Sequence, residues 1–264
     1  MNTGGIIAAV EVDEERDKCG RYAYCWPRDA VFITKAYDII GMEEESKKFY
    51  EIFCKKTQSR DGKWEQRFYT DGRLASCWGF QIDETASVII GVYDHYEHCK
   101  DKKFLKETLK MCENAIKYLE KYMDKVLAGE EIKYGYDLWE EFEGLSFYSV
   151  SAIFSAYEKM IKIYEEVKEL FENNRLKLEA INKQLKILNE QIVFIKDFAL
   201  RKFYDEEKKC YVRNTFDRKM DISILGAITP FNMLMPKEKN VLLSKQRISN
   251  IIILNMLLIT IYMI

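Results

Sequence analysis

Apolar residues return at alternating spacings of four and three through Leu105, Leu109, Cys112, Ile116, Leu119, Met123 and Val126. That is the period of one buried helix face. Leu178, Ile181, Leu185, Leu188, Ile192, Ile195 and Ala199 repeat it, and Val150, Ile153, Phe154, Tyr157, Ile161, Tyr164 and Phe171 form a wider stripe on a third long helix. Shorter helices are expected over residues 30–40, 43–57 and 83–99. The chain has only three Pro, at Pro27, Pro230 and Pro236, and none interrupts these stretches.

The segments between the helices alternate in length. Gly41–Met42, Lys100–Lys102 and the region of Asn173 and Asn174 are tight turns. The first 29 residues and residues 58–82, 128–146 and 203–218 are long. Short links join antiparallel neighbours at one end, so the long segments should gather at the other. A toroid or solenoid of helical hairpins with one elaborated face follows. Residues 203–213, with charges between aromatics, read as a polar-tipped hairpin.

Composition adds limits. The chain of 264 residues is 48% hydrophobic and 32% charged, with a net charge of -2. No basic field is present to attract nucleic acid or anionic lipid. Seven Cys are scattered without a CxxC pair, which fits reduced, packed thiols rather than disulfides or zinc. No signal-peptide pattern is visible, so a cytoplasmic setting is expected. His95 and His98 stand three apart on a helix, and without a third ligand they read as surface residues.

Residues 240–264 differ from the rest: they lack Asp, Glu, Gly and Ala, and Ile and Leu supply nearly half of them. The apolar run from Ile251 is shorter than the ~20 residues of a membrane span. An out-of-frame tail after about Lys239 is expected, foreign to a fold carried by residues 1–239.

All four Trp (Trp26, Trp64, Trp78, Trp139) fall on long segments. They are either flat surfaces around a ligand, such as a sugar ring, or anchors for the segments themselves. Asp137-Leu138-Trp139-Glu140-Glu141, followed by Glu143, crowds four carboxylates around a Trp. Such crowding keeps one acid protonated when water is limited, although a solvated acidic loop has the same composition. Arg28 and Asp29, after Tyr24-Cys25-Trp26-Pro27, pair donors with an acceptor as vicinal hydroxyls require, or form a local ion pair with Asp29 capping the helix. In Trp78-Gly79-Phe80-Gln81-Ile82-Asp83, Asp83 suits a helix N-cap, while Trp78 and Gln81 have no such structural role.

These segments, with Gly4-Gly5-Ile6-Ile7-Ala8-Ala9 before them, stand in the order found in the glucoamylase/glucodextranase family of inverting glycoside hydrolases, which the chain resembles over roughly residues 4–236. The resemblance implies an all-α fold, the (α/α)6 barrel of six inner and six outer helices, here incomplete with about the first seven or eight of twelve. It implies removal of β-glucose from α-glucan or maltooligosaccharide ends, with Glu140 as general acid. Arg28, Asp29, Trp78, Gln81, Asp83, Asp137, Trp139 and Glu141 are then the substrate-binding set. Inversion needs a second carboxylate about 6.5–9.5 Å away as base. The family supplies it from a later connector, and no candidate is found in this chain. Relatives also carry a β-rich domain before the barrel, so either residues are missing at the front or the frame opens at an internal Met.

No metal or other cofactor is expected, since no Asp-rich calcium loop is present. Exposed barrel edges suggest self-association. The alternatives are a non-catalytic sugar-binding remnant, hydrolysis of trehalose or α-1,6 dextran-type bonds, or a helical-repeat interaction module.

Overall fold

The computed structural model describes residues 3–10, 22–129, 135–237, 244 and 248–249. Helix α1 (Pro27–Ile39) opens on Pro27, whose fixed φ suits a first helical turn and whose missing N–H costs nothing there. Helix α2 (Glu43–Lys48) has three Glu in its first turn and two Lys at its end, matching the helix dipole. It runs on through a π-helical stretch (Phe49–Cys54) into α3 (Lys55–Thr57), so the three make one rod.

Helix α4 (Ile82–Cys99) stops at Lys100 in the left-handed region, and α5 (Lys102–Ala128) stops at Gly129 in the same conformation. Asp101 caps α5 by accepting from Lys103 N and Phe104 N. Ser146 caps α6 (Phe147–Val167), and Asn174 caps α7 (Arg175–Phe203). Strands β1 (Tyr204–Asp205) and β2 (Cys210–Tyr211) form the expected small hairpin, and a 3₁₀ helix (Ile222–Ala227) follows.

Helix α4 packs on α1, α5 and α6, and α6 packs on α4, α5, α7 and the 3₁₀ helix. An inner row α1–α4–α6 is therefore backed by an outer row of the α2–α3 rod, α5 and α7. Burial follows this division. Inner helix α4 is buried over most of its circumference, whereas α5 buries one stripe that includes all seven periodic residues from Leu105 to Val126. Each such leucine-sized side chain stabilises the packed state by roughly 1.5–3 kcal/mol. The outcome is three consecutive helical hairpins, an incomplete six-hairpin ring built from seven α-helices among the described residues. The eighth helix, expected from near Pro236, lies outside the described residues.

The inner helices all begin where the long segments lie. Their ends are stitched by isolated bridges: Cys25 with Phe68, Tyr136 with Glu143, and Ser146 with Asn214. Of residues 240–264, Ser244 and Ile248 are buried, and Ser244 Oγ accepts from Tyr211 N at 3.1 Å.

Two local expectations are corrected. His95 is not on the surface: it is 2% exposed, and its Nδ1 lies 2.9 Å from Asp38 Oδ1, while His98 is exposed. Neither Asp83 nor Asp29 is an N-cap. Gln81 and Trp26 hold those positions, and both carboxylates sit inside the first turn, bonded elsewhere. Cys25, Cys54, Cys112 and Cys210 are buried thiols, and burial pushes Cys112 up to about 12.

Candidate active site

Two glycines let the connectors cross closely. A Cβ on Gly135 would stand 1.9 Å from the Phe80 carbonyl oxygen, and one on Gly79 would stand 2.2 Å from the Tyr136 ring. Tyr136 N then donates to Phe80 O at 2.8 Å. The Trp78 segment and the acidic loop are thereby pinned face to face. Gln81 completes the junction, donating from Nε2 to the Asp137 carbonyl at 2.8 Å.

Beneath this junction Arg28 joins the inner helices. Its Nη1 lies 2.8 Å from Asp83 Oδ2 and 3.3 Å from Glu84 Oε1, and its Nη2 lies 3.3 Å from Asp29 Oδ2. Glu84 Oε2 also accepts the Arg28 backbone N–H at 2.6 Å. Ser149 of α6 donates to the other Asp83 oxygen at 3.0 Å. One guanidinium from α1, two carboxylates from α4 and one hydroxyl from α6 thus fix the inner row at its site end. Burial, reinforced by Asp83 and Asp29 and opposed by Arg28, holds the Glu84 carboxyl well above the ordinary glutamate range. A cluster of this kind specifies geometry more than it stabilises, and removing one partner costs about 3–5 kcal/mol.

The acidic loop is held from several directions. Asp137 Oδ1 accepts from Glu141 N at 3.0 Å and Phe142 N at 3.2 Å. Glu140 takes φ 60°, a left-handed value that a non-glycine residue adopts only when its surroundings enforce it. Its Oε1 accepts from Trp26 Nε1 at 3.1 Å. Trp139 stands 45% exposed, and its Nε1 donates to Asp221 Oδ1 at 2.8 Å.

On the other side Trp78 is 48% exposed over a buried cation. The Arg67 guanidinium lies 4.1 Å from the Trp78 ring centroid, 4.8 Å from Tyr24 and 5.3 Å from Trp26.

The residues expected at the site therefore divide. Asp29, Trp78, Trp139, Glu140 and Glu141 keep solvent-facing surface, while Arg28 sits below them among carboxylates. Gln81, Asp83 and Asp137 are buried: Asp83 and Asp137 are hydrogen-bonded inside the protein, while Gln81 is bonded through Nε2 and its Oε1 has no partner among the described residues. The Trp set splits too: Trp26 and Trp64 are buried anchors, Trp78 and Trp139 exposed surfaces. Sequence reasoning missed Arg67, Glu84 and Asp221. Only Glu84 carried a signal, as a second carboxylate beside Asp83 in the first turn of a helix whose first half is otherwise uncharged.

Among the described residues no group of three or more His, Cys, Asp or Glu side chains could hold a metal ion, and no helix is long and apolar enough to cross a membrane.

This arrangement of paired helices with an acid loop on one face agrees with the comparisons. The family model described as glycosyl hydrolases family 15 matches residues 1–239. The chain belongs to glycosyl hydrolases family 15. An uncharacterized glycosyl hydrolase of Methanocaldococcus jannaschii is 28% identical over 233 residues, covering 88% of this chain and 34% of that protein. Among solved structures, a glucoamylase from Saccharomycopsis fibuligera superposes with TM-score 0.66 at 15% identity, covering 90% of this chain and 52% of its own. A bacterial glucoamylase complexed with acarbose gives 0.65 at 18% identity, covering 92% and 36%. A glycosidase variant in complex with glucose gives 0.67 at 17%, covering 90% and 62%. At these identities the structures establish a shared fold. The family 15 chain spans about a third of the length of the archaeal relative.

Proposed function

We propose that this family 15 chain carries the acid side of an inverting glycosidase site that acts on terminal α-glucosidic bonds of α-glucans or maltooligosaccharides and releases β-glucose. One observation carries the reading: Glu140 is held at φ 60° and by Trp26 Nε1 in a loop whose neighbours present two half-exposed indoles, Trp78 and Trp139. Flat indole faces suit the CH faces of a pyranose, and a fixed carboxyl beside them can protonate a leaving glycosidic oxygen. Asp29, whose side chain is 42% exposed beside Arg28, supplies an acceptor for sugar hydroxyls. Glu141, exposed next to Glu140, is in this reading the contact to the sugar beyond the scissile bond.

Inversion requires a base on the opposite face of the sugar ring. No described residue is assigned that role. Hydrolysis is therefore a property to test on a longer protein that includes later connectors, and sugar binding one to test on this chain.

Replacing Glu140 by Gln in such a longer protein should remove turnover of maltooligosaccharides while leaving their binding intact. Retained glucose release, measured enzymatically, would refute Glu140 as acid. The solved relatives in complex with glucose and with acarbose make those two compounds the natural probes of binding. Binding by this chain without any release from the longer protein would favour the non-catalytic sugar-binding reading.

A further inference from the structure

The acid loop is gripped by a segment far away in sequence. Trp139, the residue before Glu140, donates from Nε1 to Asp221 Oδ1 at 2.8 Å, across a separation of 82 residues. Asp221 is itself fixed. The same Oδ1 accepts the Ser223 backbone N–H at 2.8 Å, which caps the 3₁₀ helix, and its Oδ2 lies 3.5 Å from Arg213 Nη1. Burial opposes its charge, yet the bonds from Ser223 and Trp139, aided by Arg213, hold the Asp221 carboxyl below the usual aspartate range. Arg213 meets the same loop from its other end, its guanidinium 3.9 Å from the centre of the Phe142 ring. The Arg213 and Asp221 pair thus touches the loop on both sides of Glu140, at Trp139 and at Phe142.

That placement matters because of what lies between the two contacts. A left-handed glutamate is strained, and such residues persist where the surroundings over-determine them. Asp137 restrains the loop through its own backbone, and Trp26 restrains the Glu140 side chain. Neither fixes the plane of the Trp139 indole, which is nearly half exposed and bonded by its ring nitrogen to Asp221 alone among the described residues.

We infer that Asp221 is a positioning residue of the sugar site: by accepting from the Trp139 indole it sets the plane on which the sugar stacks and braces the loop that carries Glu140. It acts through Trp139, and the Ser223 backbone N–H and the Arg213 guanidinium hold it in place. This rests on the reading of the Glu140 face as a sugar site.

The test uses the purified 264-residue chain with maltotriose as probe. Asp221→Leu removes the acceptor, and Asp221→Asn retains an amide oxygen that can still accept. Asp221→Leu should weaken binding about tenfold, the worth of one hydrogen bond to a charged group. Asp221→Asn should stay within about twofold of the parent chain. Trp139→Phe, which keeps a flat ring but has no donor, should show the same loss as Asp221→Leu. The double variant should be no worse than either single one. Losses that multiply in the double variant, or unchanged affinity in Asp221→Leu, would overturn the inference. Should Asp221→Leu fail to fold, Trp139→Phe removes the same bond from its exposed end, and undiminished binding there overturns it equally.

If the parent chain binds no maltotriose, the sugar-site reading fails, and the tether is then read separately by acrylamide quenching. The Trp139 contribution is the difference between the parent chain and Trp139→Phe. It should rise in Asp221→Leu and not in Asp221→Asn, and an unchanged value would sink the tether as well.

Discussion

Helix α5 and the acidic loop around Glu140 are fixed by opposite means. In α5 the fixing is local and repeated: a seven-residue apolar stripe, a capping aspartate at one end and a left-handed glycine at the other. In the loop a few tethers of different kinds do the fixing: Asp137 holds two backbone N–H groups from within, and the others reach in from remote segments. Trp26, Gln81 and Asp221 each supply one hydrogen bond from another part of the chain. A helix of the first kind tolerates loss of any one contact as a fraction of a sum. A loop of the second kind is precise only while each tether holds, so the acid proposed at Glu140 rests on fewer contacts than any turn of α5.

The largest effect should come from the redundant region. Ile116→Ala, at a fully buried position on α5, leaves a cavity and should lower stability by about 2–5 kcal/mol in denaturant titration. The sugar face should keep its affinity in molecules that remain folded. Lost affinity in the folded fraction would mean that helix and loop are not separable.

Gly135→Ala should reverse this pattern. The added methyl meets the Phe80 carbonyl oxygen, a backbone atom that cannot swing aside, and overpacking of this kind costs about 1–3 kcal/mol. It should separate the Trp78 segment from the acid loop and abolish maltotriose binding at a smaller stability cost than Ile116→Ala. Intact binding would show that the crossing at Gly135 does not shape the face.

The smallest effect concerns the seam between the regions. The Glu84 carboxyl is raised above its unfolded value mainly by burial. Its contribution is therefore fully present below the ordinary glutamate pKa and is lost as pH rises through the higher folded value. Denaturant midpoints should fall across that alkaline side in the parent chain, and Glu84→Gln should flatten the slope. An equal slope in both proteins would assign the proton elsewhere in the Arg28 cluster.

The same contrast explains what was legible in the sequence. The stripes from Leu105 to Val126 and from Leu178 to Ala199 named their helices, because a helix brings its own period to the core. The first is buried throughout, while the second buries Ile181, Leu188, Ile195 and Ala199. The long connectors were rightly gathered on one face, and the order of motifs gave the family. Pairings that depend on the packed ring were not legible. Asp83 looks like a cap in isolation, and only the approach of α1 and α6 reveals Arg28 and Ser149 as its partners. His95 looks like a surface residue until Asp38 and the Phe104 ring close over it. Arg67 has no local feature to mark it, since Tyr24, Trp26 and Trp78 reach it from two separate segments.

The alternation of hairpins has an electrostatic side as well. Helices α1, α4 and α6 all start at the face that carries Glu140, so three sets of N-terminal backbone N–H groups point the same way. Each helix start is equivalent to about half a positive charge. Asp29 and Asp83 occupy the first turns there, where a negative group gains most from that field. The outer helices end at this same face with their carbonyls, so the molecule as a whole is not polarised. The field is local to the first turns of the inner row, and the groups held there work in a potential set by backbone direction before any connector side chain is chosen.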